Sequence, residues 1–168
     1  MALNNAWSNH RLYEACAGLS DTDLTAERTS FFPSIHLTLN HILEVDRRYL
    51  DRLDGRDVPV ESDHELLDFA ALADAQRAED RRLIAYCDAL DTNSLEGEVP
   101  IRRADGIWIN RVADVLAHLF VHQIHHRGQV HAMLAGTTVL PPQLDEFFLA
   151  EDAARRREEL TAAGLGPD

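Results

Sequence analysis

Apolar residues recur every three or four positions in five stretches of the chain, the period of an amphipathic helix, and hardly anywhere alternate as strand residues do. The first stretch runs from about Leu3 to Gly18, with Leu3, Trp7, His10 and Ala17 on its stripe. The second runs from about Ser34 to Asp54, led in by Pro33 and closed by Gly55, with Ile35, Leu39, Ile42, Tyr49 and Leu53 as its apolar face. The third is expected from Ser62, where SDHE reads as a capping box with Glu65 reaching back. It continues through Leu66, Phe69, Leu72, Ala73, Leu83 and Tyr86 to about Leu90. The fourth takes Asn110 as its N-cap and continues to Ala135, with Gly136 just past its end. A last helix is expected over Asp145 to Ala163, after Pro141–Pro142 and stopping at Gly164. Between the third and fourth, DTNSLEGEVPIRRADGIW carries Pro100 and an Asp105–Gly106 turn signal, which fit a long loop or a short, irregular hairpin.

Four helices of roughly 15 to 28 residues plus a terminal one make an all-α helical bundle the economical architecture. The chain of 168 residues has no internal repeat, low-complexity tract or linker, so one domain over 1–168 is expected. Its formal charge of −13, with every basic residue an Arg and no Lys, disfavours phosphate backbones and anionic lipid as partners. The stretch EDAARRREEL reads as a solvated face with local charge pairs. Cys16 and Cys87 are too few and too far apart for a disulfide framework and read as reduced, buried thiols. With no signal-peptide pattern and no apolar run of about 20 residues, a soluble, cytoplasmic protein is expected.

Nine histidines change the picture, because five crowd into AHLFVHQIHHRGQVH. At about 100° per residue, His118, His122 and His126 share a stripe only ~80° wide beside Val112, Val115, Leu119, Val130 and Met133, so the stripe is expected to face the core. His125 flanks it and His131 points the other way. A row of buried imidazoles is costly to desolvate without partners. Two histidines four apart can share one tetrahedral metal, whereas two that are eight apart lie ~12 Å from each other along the axis. The pair is therefore His118/His122 or His122/His126. His41, mid-helix in LTLNHILEVD, is the best third ligand; His36 points away, His10 lies near a terminus and His64 in a first turn. Three histidines on two helices would leave a fourth position open for water or substrate. Gly128 is expected where another backbone packs close, and Gln129 on the histidine side could orient a ligand. Glu44, Asp46 and Asp114 are further candidates for that orienting role.

At these residues the sequence resembles the DinB/YfiT-like family of metal-dependent proteins. The likeness rests on NHILEVDRRYL around His41, on HLFVHQIHHRGQVHAML and on the following PPQLD, with NNAWSNHRLYEA as the N-terminal helix. It runs from about Asn4 to Phe148. The resemblance implies a four-helix bundle in up-down-down-up order, homodimeric, with a divalent metal, commonly zinc or nickel, held by His41, His122 and His126. His118 and His125 become flanking residues, and the tail beyond Leu149 takes no assigned role. Members with an assigned activity imply thiol chemistry: S-transfer from bacillithiol, or isomerisation of maleylpyruvate with mycothiol. The expected function is a low-molecular-weight-thiol-dependent S-transferase in detoxification or stress response. In this reading a metal lowers the pKa of the bound thiol, and Cys16 and Cys87 are not nucleophiles.

The alternatives are a metal-dependent hydrolase using the same ligands, and a non-catalytic, metal-stabilised dimeric module. A hemerythrin-like di-iron site has the wrong ligand order, and the twin Glu-x-x-His motifs of ferritin-like sites are missing, with Glu61-x-x-His64 alone in that spacing.

Overall fold

Two of the long helices start where a short polar side chain satisfies a free backbone N–H group. In the computed structural model, which describes residues 1–56, 66–144 and 150–165, Ser34 is extended and accepts from the Leu37 N–H (3.2 Å), opening α3 (Ile35–Leu53). Gly55, at φ +76°, turns the chain out of that helix where a side chain would be strained. Upstream lie α1 (Ala2–Cys16) and the short α2 (Asp21–Thr25). Helix α4 (Phe69–Asp88) begins later than its sequence pattern predicts, with Asp68 as its cap on the Ala71 N–H (2.9 Å). The expected capping box at Ser62–Glu65 lies outside the described residues. Leu66 to Asp68, expected to be helical, are not. Asn40 accepts from the Leu67 N–H (3.0 Å) and His36 Nε2 meets the Leu67 carbonyl (2.7 Å), so this segment spends its backbone groups on α3.

The stretch before the histidine helix is more regular than its sequence implies. After a single turn, α5 (Thr92–Leu95), strands β1 (Glu98–Arg103) and β2 (Gly106–Arg111) pair antiparallel from Glu98↔Arg111 to Arg103↔Gly106. Asn110 belongs to β2 opposite Val99 and does not cap a helix. Helix α6 (Val112–Leu134) leaves the strand directly, with the Val112 N–H on the Gly97 carbonyl (2.9 Å). Gly136 is not left-handed, contrary to its expected C′ role; α6 ends in tightened turns, Gly136 N–H to Met133 O (3.2 Å) and Thr137 N–H to Leu134 O (2.9 Å).

The tail is also less solvated than expected. Its helix α7 (Ala153–Ala162) ends at the left-handed Gly164 and buries Leu160 and Leu165 beside Ala6 and Trp7. Glu159 accepts from Trp7 Nε1 (2.6 Å) and from Arg11 Nε (2.8 Å), so a carboxylate assigned to local pairing instead anchors the tail to α1. The start expected at Asp145 falls outside the described residues.

The protein is thus mainly helical with one two-stranded sheet. Helix α3 packs on α4 and α6, and α1 packs on the same two. Two apolar clusters fill the interior. One gathers Leu12, Tyr13, Leu39, Ile42, Leu72, Val130 and Leu134; the other gathers Leu50, Leu83, Val99, Ile101, Val115 and Leu119. On every long helix the residues between the two clusters are polar and buried: Asn5 and Asn9 on α1, Asp46 on α3, Gln76 and Asp80 on α4, Gln123 and Arg127 on α6. The inner face of α1 is therefore rotated from its expected stripe: Trp7 is buried, but Ala17 is exposed and the two asparagines point inward.

Arg127 donates to the side-chain carbonyls of Asn5 (2.5 Å), Asn9 (3.0 Å) and Gln123 (2.9 Å). The amide nitrogens of the same three residues then donate onward. Asn5 (3.4 Å) and Asn9 (2.8 Å) donate to Asp80, and Gln123 donates to Asp46. Gln76 donates to Asp46 Oδ2 (2.8 Å). Burial raises Asp46 to about 7, against the opposing hydrogen bonds, and Asp80 to about 6 for the same reason. Both donors on Asp46 reach Oδ2, and among the described residues its buried Oδ1 has no partner, the arrangement that suits a proton on Oδ1.

A raised native pKa binds extra protons in the folded state between the unfolded value near 3.9 and about 7. Stability from Asp46 is therefore complete below that lower value and is lost as pH rises through the upper one. The Asp46→Asn side chain reproduces the protonated acid and lacks this dependence. In urea titrations of metal-free protein, the stability of wild type minus that of Asp46→Asn should fall steadily between about pH 4 and pH 8; a difference independent of pH would show that Asp46 is ionised throughout.

Candidate metal centre

The seam between α3 and α6 brings three imidazoles together. His41, midway along α3, faces His122 and His126, one turn apart on α6, and one ring nitrogen from each lies within 4.8 Å of the other two. Ring centroids are 5.0 Å apart for His41–His122, 4.6 Å for His41–His126 and 4.4 Å for His122–His126. His126 is buried, and the other two are half-buried.

Electrostatics keeps these rings neutral. Desolvation, reinforced by His126 and Arg48, lowers His41 to about 4; desolvation and the neighbouring rings lower His122 to about 3. His126 is also lowered by desolvation, with Gln129 opposing. The lone pairs therefore stay available at neutral pH. His41 Nε2 and His122 Nε2 face each other at 3.0 Å. Around a tetrahedral zinc, with bonds of about 2.0–2.1 Å to nitrogen, two donor atoms sit about 3.3 Å apart, so the His41–His122 pair is spaced to share a divalent cation and His126 lies within reach of it. His126 Nδ1–H donates to Gln129 Oε1 (2.8 Å), which selects the tautomer with a free Nε2, and Gln129 Nε2 contacts His125 Nε2 (3.2 Å).

The two choices open for the pair on α6 separate clearly in space. His122 and His126 stand in the three-ring group, whereas His118 is exposed, 6.2 Å from His122 and tilted against Tyr49 (5.2 Å). The histidine stripe therefore does not face the core along its whole length: its first turn opens to solvent, and only its last turn is covered. His125 is exposed as well, with its ring 4.8 Å from His126. The expected close packing at Gly128 is absent: the residue is exposed, and a Cβ there would meet nothing within 4 Å.

The three carboxylates considered as supports lie elsewhere. Glu44 pairs with Arg48, Asp114 with Arg111, and Asp46 with the core amides. Among the other histidines, His36 and His131 bond backbone carbonyls of Leu67 and Pro142. His64 lies outside the described residues. Burial lifts Cys16 to about 12 and raises Cys87, so neither thiol is an activated nucleophile.

One neighbour escaped sequence reasoning. Phe32 sits 4.3 Å from the His41 ring and 5.7 Å from His126, closing one side of the cluster with an apolar wall. It precedes α3, where no helical period can reveal which way a side chain points; the adjacent Phe31–Phe32–Pro33 was the available signal.

The family model described as DinB family matches residues 1–159, and the chain belongs to the DinB family. No curated protein matches the sequence. Among the described residues, no helix is long and apolar enough to cross a membrane.

Because the rings of His41 and His122 ionise only well below their ordinary range, protons should compete weakly with a metal. Zinc affinity measured by competition with a chelator should stay nearly flat from about pH 8 to about pH 5 and fall below that. The His122→Ala variant should lose at least about tenfold in affinity, and His118→Ala should match wild type. Equal losses in the two variants would place the ion elsewhere on α6.

Proposed function

We propose that this DinB protein holds one divalent ion, zinc or nickel, through His41, His122 and His126 and uses it to activate a low-molecular-weight thiol for S-transfer to an electrophile, in detoxification or stress response. The observation that carries the reading is the trio of neutral imidazoles on two helices within 4.8 Å, with no fourth side chain in the group among the described residues. A divalent cation bound by three neutral ligands keeps its full charge and lowers the pKa of a thiol or water in its open position.

The chain's own residues supply the rest. His41, His122 and His126 present nitrogen lone pairs from opposite sides of the seam. Gln129 holds the proton of His126 on Nδ1, turning Nε2 toward the other rings. Phe32 keeps water from one flank of the cluster. In the transfer, the thiol sulfur forms a bond to the electrophilic carbon, a leaving group departs with its electron pair, and the thiol proton passes to solvent. The same reading takes residues 1–168 as one unit, with α1, α3, α4 and α6 in up-down-down-up order, working as a cytoplasmic homodimer.

Conjugation of monobromobimane should be accelerated by metal-loaded protein with at least one of mycothiol, bacillithiol, glutathione or coenzyme A, with bromide released in equal amount. The acceleration should vanish in His41→Ala. Failure with all four thiols, together with thiol-independent ester cleavage, would replace S-transfer by metal-dependent hydrolysis.

A further inference from the structure

The chain has no Lys, and many of its arginines are held by carboxylates or by carbonyl oxygens. Arg82 pairs with Asp51, Asp54 and Glu79, Arg111 with Glu96 and Asp114, and Arg77 with Asp74. Arg52 breaks this pattern. It is only 8% exposed, yet among the described residues it has no hydrogen-bond acceptor and no ion-pair partner; its contact is the Tyr49 ring, 5.7 Å away.

Like charges surround it. Arg48 lies one turn earlier on the same face of α3. Its guanidinium is engaged by Glu44, but its Nε is buried without an acceptor. Arg103, exposed on β1, stands on the strand that packs against α3. Burial lowers the pKa of Arg52, and Arg48 and Arg103 push it further down against the opposing effect of Tyr49. Its place in the last turn of α3 explains a favourable dipole for one cation. It does not explain three arginines together, one of them with its stem enclosed and its guanidinium left at the surface. A partly desolvated guanidinium favours a charged partner, and none of the described residues supplies one to Arg52.

The location says what that is attached to. His41, Arg48 and Arg52 recur on one face of α3, spanning about 16 Å of helix axis. A ladder of rings links the two ends: Arg52 over Tyr49 at 5.7 Å, Tyr49 against His118 at 5.2 Å, His118 against His122 at 6.2 Å. We propose that Arg52, flanked by Arg48 and Arg103, binds an oxyanion group, carboxylate or phosphate, of an extended small molecule whose other end reaches the three-histidine cluster. The planar fork of a guanidinium matches either oxyanion with two parallel hydrogen bonds. The local positive patch also draws an acidic ligand to a surface that otherwise repels it. Only the identity of the far end, a thiol, rests on the proposed function; the anion site stands on the arginines alone.

The test uses metal-free full-length protein, so that no anion can coordinate an ion at the histidines, with inorganic phosphate and succinate as probes at constant ionic strength. Calorimetric titration should give one saturable site in wild type. Affinity should fall about tenfold or more in Arg52→Gln and severalfold in Arg103→Gln, and stay unchanged in Arg77→Gln. Phosphate binding without succinate binding assigns a phosphate ligand, and the reverse assigns a carboxylate. Neither anion binding at millimolar concentration, or equal binding by wild type and Arg52→Gln, overturns the proposal and leaves the metal reading untouched. Thermal unfolding checks that Arg52→Gln is folded. If it is not, the exposed Arg103 decides alone: severalfold weaker binding in Arg103→Gln supports the site, and unchanged affinity overturns it.

Discussion

The helices of this protein are tied together by one buried guanidinium that never meets a carboxylate directly. Arg127 gives its protons to the carbonyl ends of Asn5, Asn9 and Gln123, and the amine ends of those side chains carry the polarisation on to Asp80 and Asp46. An apolar interior alone would let the helices rotate or slide with small loss, because dispersion and burial are nearly indifferent to register. The amide relay is directional: each side chain must donate and accept along a fixed line, so the hydrogen bonds of the layer form together in one mutual register of α1, α3, α4 and α6. Two apolar clusters then close over this layer from either end.

That register decides where the histidines go. Gln123 and Arg127 each sit one position after a member of the histidine pair, His122 and His126, so locking their side chains inward turns the two imidazoles toward the seam with α3. Asp46 does the same on α3, five residues beyond His41. The polar layer and the three-ring cluster are thus neighbouring faces of the same two helices. The cluster inherits its positions from the layer, and desolvation at the seam keeps its imidazoles neutral.

Much of this was legible in the sequence. The period of three to four residues gave α3 and α6 almost to their ends, since Ser34 and Gly55 are strong local signals, and the histidine spacing singled out His122 as common to both possible pairs. Family likeness, rather than periodicity, pointed to His126 over His118. Local rules failed where a tertiary partner competed for backbone groups or charge. Leu67 bonds α3 instead of extending α4, Asn110 joins a strand, and the Glu159 side chain, still within α7, holds Trp7 and Arg11 of α1. Phe32 lay beyond any period altogether.

The sequence by itself determined the helical character of the chain, its acidic balance and a set of imidazoles at metal-binding spacing, because each of these depends on neighbours within a few positions. Only the tertiary structure decided that Asn5, Asn9, Gln76 and Gln123 face inward, that His118 lies outside the cluster while His126 lies within it, and that Arg52 has no counterion among the described residues. Helical spacing gives the angle between side chains on one helix, but not the rotation of that helix about its own axis. The rotation follows from satisfying buried hydrogen bonds across four helices together, a condition written in residues more than a hundred positions apart.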